Sequence, residues 1–434
     1  MNALPLWRGR ALALLGIVLV AFSLRSAVAS LSPVLDHVAR DFSVSSVVVG
    51  LIGAAPPVCF AVFGLLTPLV ERRFGLERVA VIAIGLVAAG LLLRGLAVDS
   101  TTLLGATAVI FAGVGSGNVI LPPLVKKYFP DRLGLMMTVY STTMAVSTFI
   151  PPLVAVPVAD SLGWRVSLGL WAVFALAGIV PWITMLLSGR TAPVAVASPR
   201  SDDRGDELAG DGLTDAVTTA TGPISTRPAN PRIFGRLWRL PLPWALAFVF
   251  AASSSMAYAS FAWLPSLLVD TAGVSPAEAG LLLSLFALMG MPCSLLVPVL
   301  VVRFQATRVL FFFAIAMGLV GIAGLLLAPT FAPVLWIAIF GLTAALFPLS
   351  LVLLSIRART PESAVALSGF VQSIGYGIAA LFPLLMGLLH DVTGGWQAPL
   401  LLLAGALVIA CPAGWIAGRR QTIEDQWEHR HGRW

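Results

Sequence analysis

ALALLGIVLVAFSLRSAVASLS, residues 11–32, is an apolar run of spanning length interrupted by one charge, Arg25. A helix needs about 20 predominantly apolar residues to cross the hydrocarbon, where each backbone polar group has to be satisfied inside the helix. Eleven further runs qualify: 47–70, 79–98, 102–125, 134–157, 166–187, 242–268, 278–301, 308–328, 331–355, 363–389 and 397–417. Of the 434 residues 58% are hydrophobic and 11% charged, which leaves no stretch for a soluble catalytic domain. The chain therefore reads as an all-α integral membrane protein with twelve transmembrane helices. The first run also imitates a secretory signal, with Arg8 and Arg10 before it and Ala27-Val28-Ala29 as a mock cleavage site. It is longer than the usual apolar core of such a signal and carries Arg25 within it, so it is read as a retained span.

A net charge of +7 and a pI near 10 could suggest nucleic acid, but the distribution of the charges points to a bilayer. Counting loops from a cytoplasmic N-terminus, the inner segments hold 23 of the 27 basic residues. Only Arg40 and Arg165 fall outside, while Arg25 and Arg94 fall within spans. This is the positive-inside pattern, and it predicts N-in and C-in.

The sequence repeats itself at an offset near 230. Gly50-Leu51, Pro68, Arg73-Phe74 and Arg78-Val79 answer Gly280-Leu281, Pro298, Arg303-Phe304 and Arg308-Val309 without a gap. Pro151 answers Pro383, Gly163-Trp164 answers Gly395-Trp396, and Ala29-Ser30 answers Ala259-Ser260. Six spans per half make the halves parallel repeats about an axis along the membrane normal, with a binding site expected near the midplane between them. The expected units are 1–187, a linker at 188–240, a second half at 241–418 and a cytoplasmic tail at 419–434. The linker is polar and aperiodic and is read as a largely disordered tether. Its carboxylates between Asp202 and Asp215 are read as solvated rather than metal-binding.

No Asp, Glu, His or Lys sits in the middle of a span, and the four histidines lie in loops or the tail. Intramembrane proton relays and sites for cationic drugs are usually built from such groups. The remaining polar groups are cations, hydroxyls, amides and aromatics, which suit a small anion or an electron-rich polar solute. Arg25, about 5–6 Å to the outer side of the midpoint of span 1, is the first candidate to bind it. Arg94, five residues before Asp99, is accounted for by snorkelling or by pairing with Asp99, with substrate contact as the alternative. Asn118 lies in the glycine-rich stretch AGVGSGNV, and Tyr140 and Gln372 take equivalent positions in spans 5 and 11. Tyr258 and Trp263 offer aromatic walls in span 7. Helix–helix hydrogen bonding or interfacial anchoring is the alternative for each. Cys59, Cys293 and Cys411 all lie within spans and are read as packing residues. No metal site and no cofactor is expected.

LPPLVKKYFP after span 4, YASFAWLPSLL in span 7, ALFPLSLVLL in span 10 and VQSIGYGIAALFP in span 11 resemble the cyanate and 2-nitroimidazole transporter family of the major facilitator superfamily. Arg25 and Arg94 sit where those relatives carry arginines. The resemblance covers nearly the whole chain apart from linker and tail. It implies a major facilitator fold, alternating access, a small-molecule solute and a monomer in the lipid of a bacterial cytoplasmic (inner) membrane. It implies neither an enzyme nor a nucleic-acid partner. The superfamily's charged gating loop after span 2 appears as ERRFGLER, with Arg72 in the place of the usual Asp. Glu71, Arg72, Arg73, Arg78 and, in the second half, Arg303 are the gate residues this implies, with Glu71 as the substitute acid. The expected function is transport of a small anion or compact polar solute. A multidrug exporter of the same fold is the alternative, ahead of a transporter-fold receptor or a membrane enzyme.

If the orientation is right, reporters fused after Arg10, within 200–230 and after Trp434 will read as cytoplasmic, and one after Asp160 as external. An external reading at 200–230 would defeat the span count.

Overall fold

A computed structural model describes residues 10–129, 132–187 and 235–431, so the linker expectation falls, up to residue 234, outside the described residues. Among the described residues, twelve helices are long and apolar enough to cross a membrane. In the first half these are α1 (Ala11–Ala29), α2 (Ser46–Phe74), α3 (Leu76–Gly95), α4 (Ser100–Tyr128), α5 (Leu133–Leu162) and α6, in two pieces (Trp164–Gly169 and Ala172–Leu187). The second half holds α7 (Pro241–Ala272), α8 (Pro276–Phe304), α9 (Thr307–Leu327), α10 (Pro333–Gly341 continuing through a 3-10 turn into Leu346–Ile356), α11 (Pro361–Ala379 and Leu381–Thr393) and α12 (Gln397–Ala417). A short helix, α13 (Ile423–His431), follows in the tail.

Local chemistry explains the ends and breaks. Ser45 caps α2 by accepting from Val48 N–H, and its repeat-mate Ser275 caps α8 by accepting from Glu278 N–H. Glu278 closes a capping box by accepting from Ser275 N–H at 2.8 Å, as expected of an acid at a helix start. Pro383 has no N–H to offer the carbonyl four residues back, and α11 breaks at Ala380. Pro348 likewise releases the carbonyl of Ala344, within the 3-10 turn of α10.

The repeat seen in the sequence recurs as repeated contacts. Trp164 Nε1 donates to Asp41 Oδ2 at 3.0 Å, and Trp396 Nε1 donates to Asp270 Oδ2 at 2.8 Å. Arg73 lies over Phe74 at 5.7 Å and Arg303 over Phe304 at 5.8 Å. The two halves meet through α2 against α11 and α5 against α8. A methyl group on Gly50 would stand 2.8 Å from Leu384 Cα and 3.0 Å from Pro383 O. On Gly280, the repeat-mate of Gly50, it would stand 2.6 Å from Pro152 O. Equivalent glycines thus press against equivalent proline-bearing turns of the opposite half, at the end of the bundle away from the chain termini. Ser46 Oγ adds a hydrogen bond to Asp391 Oδ1 across the same seam, at 2.6 Å. Close approach through small residues maximises dispersion where no hydrophobic effect drives helices together.

At the terminal face, α13 is docked. Arg359 pairs with Asp425 and Glu428, its N–H faces both Glu424 carboxylate oxygens at 3.2 Å, and Gln426 Oε1 accepts from Leu242 N–H at 3.2 Å. Hydrogen bonds from Thr422 and the Arg359 guanidinium hold the Asp425 carboxyl below its ordinary range.

Enlarging a seam glycine should separate the halves at this end. Gly50→Leu or Gly280→Leu is expected to destabilise this packing by about 1–3 kcal/mol. The readouts are a lower melting temperature and poorer cross-linking between Ser46→Cys and Asp391→Cys. Unchanged cross-linking in both variants would contradict the tight seam.

Candidate functional site

Four polar side chains from two repeat-related pairs of helices gather where the halves meet. Arg25 comes from α1 and Tyr258 from its counterpart α7, Tyr140 from α5 and Tyr376 from its counterpart α11. Tyr258 lies beside both Arg25 and Tyr376, its ring centroid 6.3 Å from that of Tyr376. Tyr140 and Tyr376 both lie within the electrostatic range of Arg25. Three of the chain's four tyrosines therefore converge on one arginine. Phe60 of α2 sets its edge against Tyr258 and Tyr376, with centroids 6.3 and 5.8 Å away, and Phe250 meets Tyr376 at 4.9 Å. Arg25 is half-buried, and among the described residues no carboxylate forms an ion pair with it. Tyrosine hydroxyls can donate to or accept from a solute and the rings offer apolar faces, yet none of them cancels the charge.

Tyr140 and Tyr258 thus stand beside Arg25, and Tyr376 is the member that sequence reasoning passed over. It lies four residues beyond Gln372 in VQSIGYGIAALFP, a motif already singled out. The Gln372 amide donates instead to Ser368 Oγ of its own helix, at 2.7 Å. Asn118 is half-buried on α4, where its neighbour Gly117 allows the Leu24 side chain of α1 within 2.5 Å of a notional methyl. Trp263 is not a wall of this cluster. Its indole N–H donates to the Pro383 carbonyl, just past the α11 break, at 2.7 Å, and its ring packs on Trp396 at 5.6 Å.

Arg94 departs furthest from expectation. It neither snorkels nor pairs with Asp99; it is fully buried. Nη1 donates to Ala27 O at 2.9 Å, and Nη2 donates to Thr107 Oγ1 at 3.0 Å. Asp99 instead caps α4 by accepting from Thr102 N–H at 2.7 Å, which holds its carboxyl below the ordinary range. Arg94 borders a cavity of about 30 Å³ whose wall also includes Ser32, Pro56, Phe111, Tyr258 and Phe261.

In the charged loop after α2, the acid with an ion-pair partner among the described residues is Glu77. Glu77 is buried, pairs with Lys127 and accepts from the Tyr128 hydroxyl at 2.7 Å. The Glu71 backbone carbonyl caps the helix by accepting from Gly75 N–H at 2.8 Å. Arg73, Arg78 and Arg303 are exposed, and the side chain of Arg72 lies outside the described residues.

Comparison with known proteins agrees with this architecture. The sequence profile of the Major Facilitator Superfamily matches residues 17–380. The chain is 31% identical to the 2-nitroimidazole transporter of Escherichia coli (strain K12) over 418 residues, covering 96% of this chain and 98% of that protein. It is 27% identical to the cyanate transport protein CynX of the same organism over 405 residues, 91% of this chain and 95% of that one. Among solved structures, a bacterial homologue of the human lysosomal transporter Spinster, inward-facing and unoccupied, superposes with a TM-score of 0.70 at 17% identity. That match covers 97% of this chain and 99% of the other. Twelve spanning helices, a duplicated six-helix unit and this profile together identify the chain as a multi-pass membrane transporter of the Major Facilitator Superfamily, not an enzyme.

Proposed function

We propose that the chain moves a small anion or a compact, electron-rich polar solute by alternating access, with Arg25 as the binding cation. The observation that carries this reading is the convergence of three tyrosines on an arginine that, among the described residues, has no carboxylate partner. A guanidinium in an apolar bundle is costly, and functional by default where it faces a cavity or the bundle interior. Its forked donors match a negative or electron-rich group, while Tyr140, Tyr258 and Tyr376 supply hydroxyls to orient the rest of the solute. The site draws on both halves, so a rocking motion about it would alternate its exposure between the two faces. The seam closed by Gly50 and Gly280 supports such a motion, because it is a contact the halves can make and break as rigid bodies. The names of the relatives, which specify cyanate and 2-nitroimidazole, suit such a solute. The chain is further read as a monomer in a bacterial cytoplasmic membrane, with both termini on the cytoplasmic side.

Titration of purified protein with cyanate and with 2-nitroimidazole tests this. Arg25→Ala should weaken binding at this site by tenfold or more, in line with roughly 1.5–3 kcal/mol for a hydrogen bond to a charged group. Arg25→Lys should bind at an intermediate level, keeping the charge and losing the fork. Tyr376→Phe should cost about 0.5–1.5 kcal/mol. Affinity for both solutes unchanged in Arg25→Ala, with only the melting temperature lowered, would make Arg25 a structural residue.

A further inference from the structure

The cavity beside Arg94 is unlike the Arg25 cluster. Arg94 reaches α1 at the Ala27 carbonyl, two residues further from the termini than Arg25, and it is sealed from solvent. A guanidinium keeps its proton in a protein. Its two bonded partners, the Ala27 carbonyl and the Thr107 hydroxyl, are neutral, and the Thr107 hydroxyl is itself directed to Leu103 O at 2.8 Å. The Arg94 Nε has no hydrogen-bond partner, nor has the Ser32 Oγ in the same cavity wall. Among the described residues no carboxylate forms an ion pair with Arg94. A full positive charge is thus enclosed with two idle donors, a void and no counter-charge, and buried charges persist only when they are compensated.

We infer that this cavity is a second anion subsite, filled by a compact anion of about three heavy atoms that accepts from Arg94 Nε and Ser32 Oγ. The inference rests on the anion-transport reading above and adds a second stop on the route. Size sets the ligand class. A water needs roughly 10–15 Å³ measured in this way, so about 30 Å³ admits a linear or bent triatomic anion and no aromatic ring. Tyr258 connects the two places, since it borders this cavity and lies beside Arg25. An anion released by one arginine meets the other across that ring. Cyanate is small enough for both stops, whereas 2-nitroimidazole fits only the Arg25 cluster.

Equilibrium dialysis of the purified, full-length protein with isotope-labelled cyanate and with 2-nitroimidazole tests the number of sites. The wild type should bind two cyanates per chain and one 2-nitroimidazole. Arg94→Gln should reduce cyanate to one per chain and leave 2-nitroimidazole at one. Because Arg94 also ties α3 to α1 and α4, Ser32→Val provides the control. It fills the cavity without touching those bonds and should likewise leave one cyanate. Arg25→Ala should retain one cyanate and lose 2-nitroimidazole. A single cyanate per chain in the wild type, abolished by Arg25→Ala and unaffected by Ser32→Val, would overturn the second subsite and leave the proposed function standing. Cyanate binding abolished by Ser32→Val but intact in Arg25→Ala would support the Arg94 subsite and remove Arg25 from the proposed function.

Discussion

A guanidinium placed among apolar helices has to be solvated by the protein itself, and in this chain that demand ties four helices to one point. The hydroxyls around Arg25 are brought by α5, α7 and α11. Hydroxyls satisfy hydrogen-bonding capacity but leave the charge uncompensated. A carboxylate in their place would neutralise the site and hold it as a closed ion pair. A neutral shell keeps a positive potential at the seam, where low-dielectric walls focus it. The shell residues belong to both halves, so what happens at Arg25 bears directly on how the halves sit against each other.

The same logic of paired halves governs the packing. Two copies of one unit can approach closely only where both have removed side chains, and the copies have done so at equivalent positions. Gly50 lies against the Pro383 turn and Gly280 against the Pro152 turn. The indole–carboxylate bonds of Trp164 and Trp396 are a second duplicated device, each tying the loop end of one helix to a neighbour within its own half. Hydrogen bonds thus hold each half together internally, while the seam between halves relies mainly on shape. That division suits two rigid bodies that change their relative tilt.

Charge is concentrated at the terminal face, where it is partnered. Glu77 with Lys127 and Tyr128 joins the start of α3 to the end of α4. Arg359 gathers three carboxylates of α13 onto the loop between α10 and α11. Such pairs are cheap to keep near water and costly in hydrocarbon, which is why they lie at helix ends while Arg25 and Arg94, among the described residues, stand in the spans without a carboxylate partner.

The number and placement of the spans were legible from the sequence alone, because the need to satisfy the backbone in hydrocarbon is local and shows in about 20 residues at a time. The duplication was legible too, since Gly50 and Gly280 or Trp164 and Trp396 keep their spacing along the chain. Helix rotation and partner choice were not, because they depend on the packing of every helix together. Gln372 and Tyr376 stand one turn apart on one helix, and only the fold decides that the second faces Arg25 while the first bonds to Ser368. Position along a span put Arg94 near the interface, yet depth says nothing of direction: its side chain points inward, and Asp99 is occupied by the cap of α4. Glu71 and Glu77 flank the turn at Gly75, whose φ of +84° reverses the chain. Which of them meets Lys127, 50 residues away from Glu77, is settled by the packing of α3 on α4 and by no local property of either acid.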